Sequence, residues 1–150
     1  MSVSNKIYPL PSAVLFVCHL NSIRSPMAEG LMKRRFGQSL YVQSAGMIAG
    51  DLDDLMVAVM AEKGIDMNAH TGRSLADLGD TNFDLVIAFT QSAGEAAKSA
   101  FDGSDTIVQV WPVPDPTAGS LDVRAMLNNY RSIRDYIDNQ LVRKFGAKSS

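Results

Sequence analysis

A short, continuously apolar run, Ala13–Val17, leads straight into a polar loop and then a helical segment, and this order constrains the fold more than any other feature. A short run without polar alternation is typical of a central parallel strand covered on both faces. Comparable runs return at Tyr41–Ser44, Phe83–Phe89 and Ile107–Val110. Because helical patterns separate these runs, the sequence predicts an α/β fold, with three layers (α/β/α) around a central four-stranded parallel sheet.

Helix boundaries are predicted from capping residues and helix breakers. Ser25 is predicted to cap the helix after the first loop, with Pro26 in its first turn and Phe36 near its end. Asp51 is predicted to cap a second helix that ends by Gly64. Two further helices are predicted at Ser92–Phe101 and Leu121–Phe145, with a short turn at Leu75–Leu78.

Length and charge limit the class of protein. A chain of 150 residues fits one domain, here predicted over residues 1–150 with an irregular lead-in at 1–12 and a frayed tail at 146–150. The net charge of −2 argues against a nucleic-acid partner, and no apolar run is long enough to span a membrane. The one cysteine cannot form an internal disulfide, so we expect a cytoplasmic location.

The first loop has the composition of an oxyanion site. Five residues separate Cys18 from Arg24, so the loop's amides and the positive end of the next helix can surround a tetrahedral anion. A lone cysteine after a strand is usually a small buried hydrophobe, but these surroundings would stabilise a thiolate nucleophile. The predicted phosphate-binding loop comprises Cys18, His19, Leu20, Asn21, Ser22, Ile23, Arg24 and Ser25.

Arg24 and Asp115 are the other two candidate catalytic residues. A guanidinium can hold two oxygens of a phosphoryl group at once, which a lysine cannot do. Asp115 lies between two prolines after the last predicted strand. Taken by itself, an aspartate in this position is typical of a turn. At the carboxyl edge of the sheet, however, its carboxyl could protonate a leaving group, and a bound dianion would raise its pKa.

Polar residues elsewhere are candidates for supporting the loop. Asn21, Ser44 and His70 are predicted to brace it, because asparagine tolerates left-handed backbone and its amide can join two segments. No partner lies at ligand spacing from His70, so we expect no metal site. Neither a metal nor another cofactor is required if amides and a guanidinium stabilise the developing charge.

Three segments together resemble the low-molecular-weight protein tyrosine phosphatase family, whose fold is shared by arsenate reductases. They are Cys18-x5-Arg24-Ser25-Pro26, Ser44-Ala45-Gly46 and Asp115-Pro116, and the resemblance extends over about residues 13–145. It implies that Cys18 is the nucleophile, Arg24 the phosphate clamp and Asp115 the general acid. It also implies that Ser25 donates a hydrogen bond to the thiolate and that Asn21, Ser44 and His70 support the loop.

The sequence departs from the family pattern at three places. Leu20 replaces a glycine, and would be strained if its φ had to be positive. Ile23 replaces a second cysteine, so no disulfide can form within the loop. Thr117 and Ala118 stand where many tyrosine phosphatases carry aromatic residues, which weakens the expectation of a phosphotyrosine substrate.

Three functions remain compatible with the sequence. The first is a phosphatase that forms a phosphocysteine on Cys18, acting on a phosphorylated protein or a small phosphomonoester. The second is a single-cysteine arsenate reductase that uses arsenate and a small external thiol. The third is a non-catalytic module that binds an oxyanion or a phosphoprotein.

Overall fold

Four strands and four α-helices alternate along the chain. A computed structural model describes residues 10–79, 82–119 and 122–147. The elements are β1 (Ala13–Cys18), α1 (Arg24–Phe36), β2 (Tyr41–Gly46), α2 (Asp54–Ala61), a 3₁₀ turn (Leu75–Asp77), β3 (Leu85–Ala88), α3 (Gln91–Ala100), β4 (Ile107–Val110) and α4 (Val123–Phe145). In the described part of the chain, no helix is both long enough and apolar enough to cross a lipid bilayer.

The four strands form one parallel sheet in the order β2-β1-β3-β4. All six residues of β1 are buried, as expected for an inner strand covered on both faces. The predicted α/β fold with a four-stranded parallel sheet is therefore confirmed.

Alternate residues of β1 contribute to two separate cores. Phe16 and Cys18 lie in the core that α1, α2 and α4 cover, whereas Leu15 and Val17 lie in the core covered by α3. Small residues bring α3 close to the sheet: a Cβ on Gly94 would lie 2.4 Å from a side-chain carbon of Val110. The side chain of Cys18 thus points toward the α1 face.

Several predicted boundaries differ from the structure. β1 and β2 are longer than predicted, ending at Cys18 and Gly46, and β3 is shorter, at Leu85–Ala88. The predicted lead-in and tail lie partly outside the described residues, as does Leu121, the predicted start of the last helix. The described helix begins at Val123, with the Asp122 side chain as its cap.

Two predicted caps are wrong. Ser25 lies inside the first turn of α1, and Ile23 occupies the cap position without a side-chain hydrogen bond. The Ser25 hydroxyl is instead directed toward Cys18, as described below. The cap of α2 is Asp53 rather than Asp51: its carboxylate accepts a hydrogen bond from the Met56 amide.

Candidate active site

The predicted phosphate-binding loop connects the carboxyl end of β1 to α1 and is held from outside by residues 47–50. The carbonyls of Cys18, His19 and Leu20 accept hydrogen bonds from the amides of Met47, Ile48 and Gly50, at 2.7–3.0 Å. In a trans peptide the N–H points opposite to the carbonyl of the same plane. The amides that follow these carbonyls therefore point away from residues 47–50, in the direction expected if the loop binds an anion.

Gly46 makes the close approach of β2 to this loop possible. A Cβ at this position would lie 2.6 Å from the Ile48 carbonyl oxygen and 2.7 Å from the Asn21 nitrogen. Both are backbone atoms and cannot rotate away. The last residue of β2 therefore has to lack a side chain.

Asn21 carries the only positive φ among the described non-glycine residues, at 57°. Leu20 has no positive φ, so the strain considered for it does not arise there. Asparagine tolerates the left-handed region better than most residues because its short side chain bonds locally. The loop's unusual backbone conformation thus falls on a residue suited to it.

The fully buried side chain of Asn21 links three segments. Its Nδ2 donates to the hydroxyls of Ser25 and Ser44, both at 2.9 Å. Its Oδ1 accepts from the Arg73 amide at 3.0 Å. The Asn21 carbonyl lies 2.9 Å from His70 Nε2, so that nitrogen must carry the proton. The four residues predicted to support the loop therefore form one network.

The Ser25 hydroxyl lies within hydrogen-bonding distance of the Cys18 sulfur, and it would donate to that sulfur in the thiolate form, which can only accept. Ser25 Oγ accepts from Asn21 and lies 2.9 Å from Cys18 Sγ, with the Ala45 carbonyl as a weaker alternative at 3.3 Å. Ser44 likewise accepts from Asn21 and donates to the Glu29 carboxylate. A hydroxyl that donates to sulfur stabilises a thiolate more than a thiol.

Glu29 is part of this network and was not predicted. It is 7% exposed, and its second carboxylate oxygen accepts from Lys33 at 2.5 Å. A signal was present in the sequence, because Glu29 stands four residues after Ser25 and so on the same helix face. Its pairing with Ser44 of β2, however, depends on the tertiary fold.

The structure places Cys18, Arg24 and Asp115 around one cavity of about 370 Å³. Arg24 Nη1 donates to the Val113 carbonyl at 2.8 Å, which ties the start of α1 to the segment that carries Asp115. The carboxylate of Asp115 accepts from the amide and the hydroxyl of Thr117, at 2.9 and 2.7 Å. Asp115, distant in sequence from Cys18 and Arg24, therefore lies at the same cavity as both of them.

The surroundings of Asp115 favour the charged form of its carboxyl group. Burial alone would raise the pKa of its carboxyl. The hydrogen bonds from Thr117 and the positive charges of Arg24 and His19 together outweigh that effect and hold the pKa below its usual value. The raised pKa that the sequence predicts for Asp115 applies to the complex with a bound dianion. The negative charge of that ligand would oppose the positive charges of Arg24 and His19.

Two further carboxylates line the same cavity. Asp51 and Asp53 lie on the extended segment before α2, and the Asp51 carbonyl accepts from the Ser22 hydroxyl at 2.8 Å. Asp53 Oδ2 accepts a hydrogen bond from the Tyr130 hydroxyl at 3.0 Å. The pKa of Tyr130 is raised, mainly by burial and also by the negative charge of Asp53, so the tyrosine keeps its proton and remains a donor. These residues were not predicted as site residues, because only folding brings the start of α2 to the loop.

No group of three or more histidine, cysteine, aspartate or glutamate residues is arranged to hold a metal ion within the described ranges. His70 is committed through Nε2 to the loop backbone. Arg24 is a cationic side chain on the wall of the cavity that also includes Cys18 and Asp115.

Fold and site together define a parallel α/β protein with a cysteine-to-arginine anion loop. The sequence matches the family described as "Low molecular weight phosphotyrosine protein phosphatase" over residues 13–148, and the chain belongs to this family. Members of this family are enzymes, both phosphatases and arsenate reductases.

Individual relatives represent both activities. The chain is 32% identical to a protein-arginine-phosphatase of Bacillus subtilis and 30% identical to an arsenate reductase of the same organism. Each alignment covers 85% of this chain and 91% of the relative. A solved arsenate reductase in its oxidized state is 26% identical, with a TM-score of 0.74 over 88% of this chain and 95% of that chain.

Proposed function

We propose that the protein is a phosphatase that acts through a phosphocysteine on Cys18. The observation that supports this most is the shared cavity of Cys18, Arg24 and Asp115. The Cys18 thiolate would attack phosphorus as the bond to the leaving group breaks, while Asp115 gives its proton to the leaving atom, an oxygen in a phosphomonoester or a nitrogen in phosphoarginine. Arg24 and the loop amides would hold the three remaining oxygens.

The second half of the reaction would use the same carboxylate. Asp115, now ionised, would take a proton from water as the water oxygen attacks phosphorus, and the S–P bond would break to release phosphate and the thiolate. Because the pKa of Asp115 is low without ligand, it must gain its proton on binding. The negative charge of a bound dianion would raise the pKa of Asp115, and the proton would come from solvent or from a substrate that binds as the monoanion.

A phosphorylated protein is the substrate class that we propose, and the acidic rim favours a cationic leaving group. Asp51, Asp53 and Asp115 all line the cavity, and Thr117 follows Asp115 where an aromatic residue would suit a phosphotyrosine ring. One relative is named for phosphorylated arginine, whose guanidinium would meet such carboxylates favourably. Phosphoarginine is therefore tested beside phosphotyrosine.

Arsenate reduction is the second candidate, because several relatives carry that name. Cys18 would attack arsenic to give an arseno-cysteine. An external thiol would then form a disulfide with Cys18, arsenite would leave with the two electrons, and a second thiol would regenerate the cysteine. With one cysteine in the chain, both resolving thiols must come from a small-molecule or protein reductant. A cytoplasmic location would provide them and is part of the proposal.

One set of assays separates the functions. Hydrolysis of para-nitrophenyl phosphate, a phosphotyrosine peptide and a phosphoarginine peptide is measured beside arsenite release, with and without added thiols. We expect thiol-independent phosphate release that Cys18→Ser abolishes. Thiol-dependent arsenite release with negligible phosphate release would replace the proposal with arsenate reduction. Tight phosphate binding without either reaction would indicate a binding module.

A further inference from the structure

Three exposed apolar residues lie on the anion loop and on the segment that holds it. Leu20 of the loop is 43% exposed, Ile48 of the supporting segment is 55% exposed, and Met47 beside it is also exposed. The amides of Met47 and Ile48 donate to loop carbonyls, so both residues are held against the loop. Single exposed apolar residues are ordinary on a protein surface, whereas a group of them is typical of an interaction surface. Together these three residues form an apolar rim.

The backbone of Leu20 is fixed in place although its side chain is exposed. Its carbonyl accepts from the Gly50 amide at 2.7 Å, and its φ is not positive. A Cβ on Gly50 would lie 2.9 Å from the Cβ of Leu20, so the loop and the supporting segment pack closely here. The loop therefore presents a leucine to solvent from a defined position, where the family pattern has a glycine.

Leu20 belongs both to the apolar rim and to the wall of the cavity that includes Cys18 and Arg24. In the proposed reaction the loop holds the phosphoryl group, so the rest of the substrate has to leave the cavity past its wall. A residue next to the phosphorylated one is only about 3.3–3.6 Å further along an extended chain. Such a neighbouring residue is therefore within reach of the rim at Leu20.

Charges beside the rim restrict which side chain fits against it. Asp51 follows Gly50, whose amide is bonded to Leu20, and Asp51 and Asp53 both line the cavity. Arg24, a cation of the same wall, is engaged by the phosphoryl group in the proposed reaction. An acidic neighbour of the phosphorylated residue would be repelled by the two aspartates, and a polar one would lose water against Leu20 without gaining a partner. An apolar side chain avoids both costs and buries its own surface.

We propose that the apolar rim selects phosphorylated proteins in which an apolar residue is adjacent to the phosphorylated one. This inference rests on the proposed phosphatase function and names a feature of its substrate. A free oxyanion such as arsenate would occupy the loop alone and leave Leu20 and Ile48 exposed to water. A protein segment with an apolar neighbour covers these side chains instead, and the area that both partners bury strengthens its binding.

The kinetic test compares phosphotyrosine and phosphoarginine peptides in which both neighbours of the phosphorylated residue are leucine, serine or aspartate. Para-nitrophenyl phosphate, which has no neighbouring residue, measures basal turnover. We expect kcat/KM to be at least about fivefold higher with leucine than with serine, the value of burying about half a leucine side chain, and lowest with aspartate. Equal values for leucine and serine, with para-nitrophenyl phosphate hydrolysed, would overturn the rim proposal and leave the phosphatase proposal intact.

A binding measurement tests the rim without turnover. Cys18→Ala lacks the nucleophile, so the same phosphorylated peptides stay intact during calorimetric titration of this variant. We expect the leucine-flanked peptides to bind at least about fivefold more tightly than the serine-flanked ones. This preference without hydrolysis by the wild-type protein would support the rim and overturn the phosphatase proposal alone. Equal affinities, or no binding of any peptide, would overturn the rim proposal.

Two matched substitutions in the Cys18→Ala background locate the preference. Ile48→Ser removes a rim side chain and keeps its amide, whereas Ile107→Ser removes a side chain that is 60% exposed at the opposite end of the parallel sheet. The readout is the ratio of leucine-flanked to serine-flanked affinity within each variant, so a general change in anion binding cancels.

We expect this ratio to fall at least about twofold in Ile48→Ser and to stay unchanged in Ile107→Ser. Equal ratios in the two variants would overturn the proposal. Size-exclusion chromatography over a concentration series tests a second copy of the chain as the occupant. Self-association that Ile48→Ser abolishes, together with an unchanged peptide ratio, would make the rim an interface between copies and contradict the proposal.

Discussion

Replacing Asn21 tests whether one side chain organises the anion loop. Asn21→Gly keeps the backbone able to adopt the observed φ of 57° and removes every side-chain contact. Three hydrogen bonds are lost: two donated to Ser25 and Ser44, and one accepted from the Arg73 amide. The two bonds to the serine hydroxyls are buried, and the bond from the Arg73 amide is partly buried.

The expected loss of stability follows from these contacts. At about 1 kcal/mol each, three hydrogen bonds contribute about 3 kcal/mol to the free energy of unfolding. The greater conformational freedom of glycine in the unfolded chain adds about 0.7 kcal/mol to this loss of stability. The same change at exposed Asn68, whose side chain contacts Asp66, should cost only about 1 kcal/mol, since exposed bonds compete with water.

Urea denaturation of both variants measures the difference. We expect Asn21→Gly to be less stable than Asn68→Gly by about 3 kcal/mol, which corresponds to a melting temperature lower by about 9 °C for a domain of this size. If the two variants differ by less than about 1 kcal/mol, the network does not depend on Asn21 and the account of the loop is wrong.

Three further predictions concern other parts of the molecule. Asp115→Asn should slow hydrolysis most for esters with poor leaving groups, in a series of aryl phosphates; an equal effect on all would exclude a general acid. Gly46→Ala should cost about 1–3 kcal/mol in urea denaturation and weaken phosphate binding, because the new Cβ meets loop backbone; a neutral result would contradict the close approach. Hydrogen bonds from Arg131 and Arg134 lower the pKa of Glu62 from 4.5 to about 2. Because the folded-state pKa is lower than the unfolded one, Glu62 contributes stability that is present above pH 4.5 and is lost as the pH falls toward 2. Glu62→Gln should flatten that acid limb in thermal melts, and an unchanged limb would show that the ion pairs do not stabilise the fold.

The sequence predicted the architecture well because its strands are short and apolar and its helix breakers are clear. Ala13–Val17 and Ile107–Val110 carry a strong local signal, and burial of β1 on both faces explains why. Capping was predicted less well. Ser25 has the right residue type and position for a cap, but its hydroxyl bonds Cys18 and Asn21 instead.

The residues that were not predicted are those whose role depends on distant partners. From the sequence, Glu29 has the pattern of a surface helix residue paired with Lys33. In the folded chain β2 places Ser44 against it, and the Ser44 hydroxyl donates to the Glu29 carboxylate. Asp53 caps α2 in place of the predicted Asp51, and α4 brings the Tyr130 hydroxyl to its second oxygen. No local pattern encodes such contacts, because they depend on how three layers pack.

The central claim is that Cys18 becomes phosphorylated during turnover. The most direct measurement is peptide mapping by mass spectrometry after acid quenching of the protein mixed with para-nitrophenyl phosphate. We expect one phosphoryl group on the peptide that contains Cys18, more of it in Asp115→Ala because the water attack lacks its base, and none in Cys18→Ala, which has no nucleophilic atom at this position. Turnover with the phosphoryl group on another residue, or with no adduct in any variant, would contradict the account.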